Sequence, residues 1–398
     1  PVFQKLSKIL SAVSLESLIN TAGGVHIVPI SAVPEVMSRS VYSLGAKEEK
    51  RSALPSFPYS APRTQRSIPA YSGGGLSFDY YINSNLPARP WQLVMSNGRF
   101  GYIAADCGSG YMWLDNAREM RINPPPCDAL STHGSEMLWL ERNGEKISLF
   151  AANDGYACSV SFSPALAVWE KDMGFCKPLL KAFVPEDVNA RVFTVEGCEG
   201  QRLRWRLLPV MGAADSASVQ FSFDGRSVRI TNPESYYDGA VLTLTCSMPM
   251  QCSFDYEDNS VILSLVADKK TVLVCGIDSE ERLSALCGEE ACVAAAEKVR
   301  GAWQALLSRL SLSCGLEPLD GYMGGWCLYQ IIACRLRGRA SLYQSGGAIG
   351  FRDQLQDAVN LILFDFAYAR DRIIDCCKHQ YTQGDVMHWW HVHPDGDM

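Results

Sequence analysis

The sequence has no C-x-x-C pair, although it carries 15 cysteines scattered from Cys107 to Cys377. That absence excludes zinc-ribbon spacing and the thioredoxin motif. An odd number of thiols, several of them inside apolar strand-like runs such as those around Cys246 and Cys275, reads as small buried hydrophobes in a reducing cytosol. The vicinal Cys376–Cys377 pair falls in a helix-like segment and reads as structural too. No run of clustered Lys and Arg is present, and the formal charge is -7. A broad nucleic-acid surface is therefore excluded, because phosphate binding needs clustered cations. The first residues, "PVFQKLSKILSAV", are amphipathic and lack the apolar core of a signal peptide. "AVNLILFDFAYA" is broken by Asp365 and too short to span a bilayer. No membrane segment is expected, and a cytoplasmic location follows as the default. There is no low-complexity tract and no repeat of fixed period.

What is present is a long, mixed chain. Its 398 residues allow two or three domains, and 20% charged against 47% hydrophobic residues is a globular composition. Residues 1–50 read as a helix-strand-helix segment, too small to close its own sheet, which either packs on the rest of the chain or is the tail of an upstream domain. Residues 51–72, rich in Pro and Ser, read as a linker. From 73 to 277, short β-rich runs such as "FGYIAAD", "EMLWLE" and "ARVFTVE" alternate with hairpin turns such as "SFDGRS", which predicts a large antiparallel β-sandwich. At about 278 the period becomes helical. Leu283, Leu286, Ala294, Val299, Trp303, Leu306 and Leu307 supply apolar faces over a helical linker, 278–312. Residues 313–398 add helices at about 317–337, 353–369 and 370–380. Leu355, Val359, Ile362, Leu363 and Phe366 form one face of the second.

The strongest local signal is "YQSGGAIGFRDQLQDA", residues 343–358. A glycine-rich loop there delivers Arg352 and Asp353 to the start of a helix. Asp353 fits the N-cap, with its carboxylate accepting backbone N–H groups. Alternatively the carboxylate and guanidinium together grip adjacent sugar hydroxyls, one accepting and the other donating. "SGGAIG" is not a phosphate loop, since it lacks the G-K-[ST] ending. The chain's last twenty residues hold His379, His388, His391 and His393 around Trp389 and Trp390. H-x-H on an extended segment puts both rings on one side and invites a metal, but no carboxylate or cysteine set completes it. Asp115 and Glu119 read as a turn and a solvated edge of the sandwich. Ser131 and His133 form no triad with a third residue.

The segments "YQSGGAIGFRDQLQDA", "WCLYQIIACRLRGR" and "HQYTQGDVMHWWH", with the upstream "PARPWQLVMSNGRFGYIAADCGSGYMWLDNAREMRINP" and "KAFVPEDVNARVFTVE", resemble the glycoside hydrolase family 94 phosphorylases, formerly glycosyltransferase family 36. The resemblance is closest to the phosphorylase-like C-terminal region of cyclic β-1,2-glucan synthases and to β-1,2-oligoglucan phosphorylases. It runs colinearly from about residue 73 to the end. It implies a β-sandwich, a helical linker and an (α/α)6 barrel, of which 313–398 supplies the first helices. It implies inverting phosphorolysis of a β-glucosidic bond to α-glucose 1-phosphate, with inorganic phosphate as co-substrate and no metal or organic cofactor. Arg352 and Asp353 then match the Phe-Arg-Asp motif that holds the non-reducing glucose. Gln344 and the Gly346–Gly347 turn line the same loop, and His388, Trp389 and Trp390 belong to a loop near it. One tryptophan is expected to offer its face to a sugar. At Gly324–Gly325, before Trp326, relatives are expected to carry a polar pair. The resemblance places the general acid and the phosphate-binding residues beyond Met398, so the chain reads as a fragment inactive by itself. The implied partners are a β-linked glucan or oligosaccharide and a second copy in a homodimer. A non-catalytic carbohydrate-binding or dimerisation module is the alternative, and a hydrolase on the same barrel a further one.

Overall fold

The computed structural model describes residues 70–72, 77–82, 86, 89–126, 134–213, 218–309, 314–394 and 396–397. The helix-strand-helix reading of 1–50, most of the linker 51–72 and the pair Ser131 and His133 lie outside the described residues. Ala70–Ser72, read as the end of the linker, is a strand paired with Ser77–Ile82.

Alternation in the sequence becomes sheet because each short β-rich run finds an antiparallel neighbour. Among the described residues the largest sheet has ten strands. At its centre Ala190–Glu196 lies between Leu179–Phe183 and Lys270–Gly276, with Phe193 opposite Ala182 and Leu273. That strand is buried from Ala190 to Val195, whereas Cys158–Ser163, nearer the edge, buries every second residue. A continuous apolar run marks a strand covered on both faces, and alternation marks one covered on a single face. A five-stranded sheet centres on Arg202–Leu207, and a three-stranded sheet is built from Gln92–Ser96, Phe100–Ala105 and Tyr111–Leu114. One continuous core joins the sheets, with Phe100, Leu138, Trp169, Phe193, Trp205 and Leu273 in it.

Inside that core a charge pair links two sheets. Arg191 donates to both carboxylate oxygens of Glu136, at 2.8 and 2.6 Å, and the Trp205 Nε1–H donates to Glu136 at 2.7 Å. The Arg191 guanidinium also lies 3.5 Å from the centre of the Phe193 ring. Bidentate geometry and a cation–π contact offset the loss of water around both charges.

After the sandwich, the long helical stretch is two helices, Glu280–Ala285 and Glu289–Leu307. Ser279 caps the first by accepting the Arg282 N–H, and Gly288 opens the second. Leu283, Leu286, Val299, Trp303 and Leu307 are buried, as their spacing predicts. Ala294 is exposed, and Cys292 takes its place on the buried stripe. The next segment runs helically from Glu317–Gly321 to Gln330–Gly338, with π-type hydrogen bonding at Tyr322–Trp326 and Gln330–Gly338. Its hold on the sandwich is specific. The Tyr329 hydroxyl accepts the Val94 N–H at 2.7 Å and donates to the Val94 carbonyl at 2.8 Å, completing the edge of strand Gln92–Ser96. Arg337 donates to the Ser96 carbonyl on the same strand.

The break expected between helices at 353–369 and 370–380 lies earlier, and the two helices are Phe351–Val359 and Phe366–Cys377. Asp365 breaks the run because it is an N-cap, accepting the Tyr368 N–H at 3.0 Å. The predicted apolar face is therefore split, and Val359, Ile362, Leu363 and Phe366 are exposed, the last two at 72% and 67%. Among the described residues no helix is long and apolar enough to cross a membrane. The described cysteines are free thiols; Cys275 and Cys376 are buried, Cys246 is half-buried, and Cys377, read as structural, is exposed.

Candidate functional site

The glycine loop begins where the helical run ends. Arg339 takes a left-handed conformation, φ 49°, and turns the chain back. Its half-buried guanidinium meets three carbonyls: Leu336 at 2.7 Å, Asp115 at 3.2 Å and Gly347 at 3.3 Å. Burial, helped by Arg372, pushes its pKa down to about 10. The Leu342 N–H donates to the Gln92 side chain, and the Tyr343 hydroxyl donates to the Pro90 carbonyl. Backbone bonds between Ser341 and Gln344 close a tight turn. The loop is thus fastened to the sandwich along its length.

Past the turn, Ile349–Gly350 pairs antiparallel with Trp389–Trp390, Ile349 opposite Trp390 and Gly350 opposite Trp389. The Phe351 N–H continues the ladder to the His388 carbonyl at 3.2 Å. Two motifs far apart in sequence thereby become one element. Neighbouring residues of a strand point to opposite faces, so the tryptophans part company. Trp389 is 50% exposed, whereas Trp390 is 1% exposed and stacked on His379 at 3.8 Å. Of the two, Trp389 is the ring available to a ligand, and Trp390 is core.

The third component is the sandwich loop 115–119. Asp115 adopts φ 56°, which a short polar side chain tolerates, and pairs with Arg99 at 2.8 Å. The Asn116 side-chain oxygen accepts the N–H groups of Arg118 and Glu119, forming a tight Asx-type turn. Glu119 is buried in this turn, not on a solvated edge as its sequence setting suggests.

These pieces surround an open cleft of about 520 Å³, lined by Arg118, Tyr343, Gln344, Gly346, Trp389 and His391 among others. It offers an aromatic face, an amide that both donates and accepts, a guanidinium and an imidazole, a mixed apolar and polar lining suited to a polyhydroxylated ligand. Gln344 and Trp389 both line it. Arg352, Asp353 and His388 are exposed and are not among the lining residues. Asp353 is not the N-cap either: Gly350 holds that position and Asp353 lies in the first turn. Its carboxylate still folds back over Gly350, where a Cβ would meet it at 2.9 Å, and a negative charge there complements the helix N-terminus.

Sequence reasoning passes over Arg118, Tyr343 and His391 as lining residues. Arg118 sits in a stretch read as sandwich edge, and His391 is considered there only as a metal ligand. His391 and His393 do not converge: His391 Nδ1 lies 3.2 Å from the Asn116 amide, while His393 packs edge-on against Tyr236. Among the described residues no group of three or more His, Cys, Asp or Glu side chains is placed to hold a metal. Burial, with Arg118 and Arg339 adding to it, pushes the His391 pKa below its ordinary value.

The fold and cleft define a two-part protein in which an antiparallel sandwich and the helical segment after it share one site. The chain belongs to glycosyl hydrolase family 94: residues 79–196 match the family's supersandwich domain and residues 302–395 its superfamily catalytic domain, together more than half of the chain. It is similar to the cyclic beta-(1,2)-glucan synthase NdvB of Rhizobium meliloti (strain 1021), 21% identical over 88% of this chain and 15% of that protein. It is also similar to the solabiose phosphorylase of Paenibacillus borealis, 29% identical over 24% of this chain and 12% of that protein. The chain thus spans a small part of the length of these curated relatives. Among solved structures, a putative kojibiose phosphorylase from the human microbiome aligns with TM-score 0.43 at 11% identity, covering 76% of this chain and 50% of that one.

Proposed function

We propose that this chain carries the glucan-holding part of an inverting phosphorylase acting on β-linked glucans. The observation that carries the reading is the pairing of Ile349–Gly350 with Trp389–Trp390. It sets the glycine loop and the tryptophan motif side by side around one cleft. In the proposed reaction a phosphate oxygen attacks the anomeric carbon from the face opposite the leaving group. The glycosidic bond breaks, and a carboxylic acid protonates the departing oxygen, so that α-glucose 1-phosphate is released. Phosphate replaces the water of an inverting hydrolase, and no second carboxylate is needed to activate it.

Trp389 is proposed to stack on a sugar ring and Gln344 to bind its hydroxyls. The family resemblance supports Arg352 and Asp353 as the pair that grips the non-reducing glucose; they follow Phe351, which comes after Gly350, the partner of Trp389. The role proposed for these residues is to bind the glucan. Free thiols support a reducing, cytoplasmic setting.

Calorimetry with a β-1,2-linked glucotriose tests the binding reading. Trp389→Ala is expected to weaken binding about tenfold, equivalent to about 1.4 kcal/mol. Binding that ignores both Trp389→Ala and Arg352→Ala would put the ligand on the sandwich and favour the non-catalytic module.

A further inference from the structure

Asn116 is fully buried in the sandwich loop and reaches across to both other parts of the cleft. Its side-chain oxygen accepts the Arg118 N–H at 2.9 Å and the Glu119 N–H at 3.1 Å. Those two bonds fix which way the amide points. Its nitrogen must face the other side, where it meets His391 Nδ1 at 3.2 Å and the Gly347 carbonyl at 3.4 Å. An amide nitrogen only donates. Nδ1 must therefore accept, and the ring proton of the neutral imidazole sits on Nε2. The Asn116 amide sets the tautomer of a residue that lines the cleft.

We propose that Asn116 is a positioning residue that holds His391 as the neutral Nε2–H tautomer, and that this N–H donates a hydrogen bond to a hydroxyl of the glycan in the cleft. The proposal rests on the reading of the cleft as a sugar site. The charged groups facing His391 are Arg118 and Glu119 from the sandwich loop and Arg339 from the end of the helical run. Two cations against one carboxylate, together with burial, disfavour the imidazolium. A neutral donor suits this position, because a third positive charge beside Arg118 and Arg339 would repel both. Trp389 sets its ring edge-to-face with His391 at 5.2 Å. The donor and the aromatic face therefore belong to one rigid corner.

The tautomer is read on the unliganded chain by nitrogen-15 spectra of labelled histidine, with His391→Gln identifying the resonance. The wild type is expected to show His391 with its proton on Nε2 at pH 7.5. Asn116→Asp keeps an oxygen for the Arg118 and Glu119 N–H groups but replaces the donor with an acceptor. It is expected to bring a proton onto Nδ1 and to move the His391 titration to higher pH. A wild-type ring protonated on Nδ1, or a titration unmoved in Asn116→Asp, overturns the positioning role. For the contact itself, His391→Ala is expected to weaken glucotriose binding about tenfold, with His391→Gln, which restores an N–H donor, recovering most of it. Wild-type affinity in His391→Ala overturns the contact. Should that variant fail to fold, saturation of the wild type with glucotriose must shift the His391 Nε2 resonance, and an unmoved resonance overturns it equally. A wild-type chain that binds no glucotriose defeats the sugar reading and the contact with it, while the tautomer result stands or falls on the free protein.

Discussion

Gly347 combines a φ of 66° with the closest approach in the site: a Cβ there would lie 2.2 Å from the Asn116 side-chain oxygen. Alanine would meet both the left-handed penalty and a clash with a fully buried amide. Gly347→Ala is expected to lower stability by about 1–3 kcal/mol, read as a shift in the urea midpoint, and to weaken glucotriose binding. The sequence shows that a glycine pair turns the chain at 346–347. It does not show why the second must be glycine, because the crowding atom comes from Asn116, 231 positions upstream. The tryptophans are a similar case. Two adjacent rings in a motif look equivalent on paper, and only the register with Ile349 and Gly350 separates the exposed Trp389 from the buried Trp390. His391 is hidden for the opposite reason, since its meaning depends on an Asn116 partner that no local spacing announces.

Elements are more legible than partners. "SFDGRS" reads as a hairpin turn, and Gln220–Phe223 does pair with Ser227–Thr231 across it. Asp224 holds that turn by accepting the Ser227 and Arg226 N–H groups, each at 2.8 Å. These bonds, Ser227 first, keep its pKa down at about 2. An unfolded aspartate titrates at about 3.9. The folded value is depressed, so the stabilisation is complete above the unfolded value and is lost as pH falls towards 2. Asp224→Asn is expected to flatten the acid limb of the stability profile between about pH 4 and 2 and to leave the region above pH 6 nearly parallel to wild type, as measured by urea unfolding across pH. Helix boundaries are harder to read. Asp365 breaks the apolar run in the sequence, and the structure shows the break to be a cap. With the helix split there, a stripe drawn across 355–366 by helical period no longer lies on one face.

At the scale of the whole molecule, the order of a sandwich followed by helices is readable because the hydrophobic period changes from two to about 3.6 near residue 278. Which strands pair across long intervals is not readable, and neither is the pairing of Arg191 with Glu136 between sheets. Glu136→Gln leaves a buried guanidinium without its counter-charge, and the expected loss is about 3–5 kcal/mol, seen as a lower thermal midpoint of the sandwich. Substituting both members with apolar residues of similar volume is expected to recover much of that loss. The cleft, for its part, is assembled across a seam. Arg118 and Asn116 arrive on the sandwich; Gln344, Trp389 and His391 arrive on the segment after it; and Tyr329, Arg337 and Arg339 rivet the two together. Neither half owns the site. A cut between the sandwich and the segment after it, or an exchange of one for that of a cousin, would separate the imidazole from the amide that orients it. Neither piece would then hold the whole cleft, and the core the two share would be cut open as well.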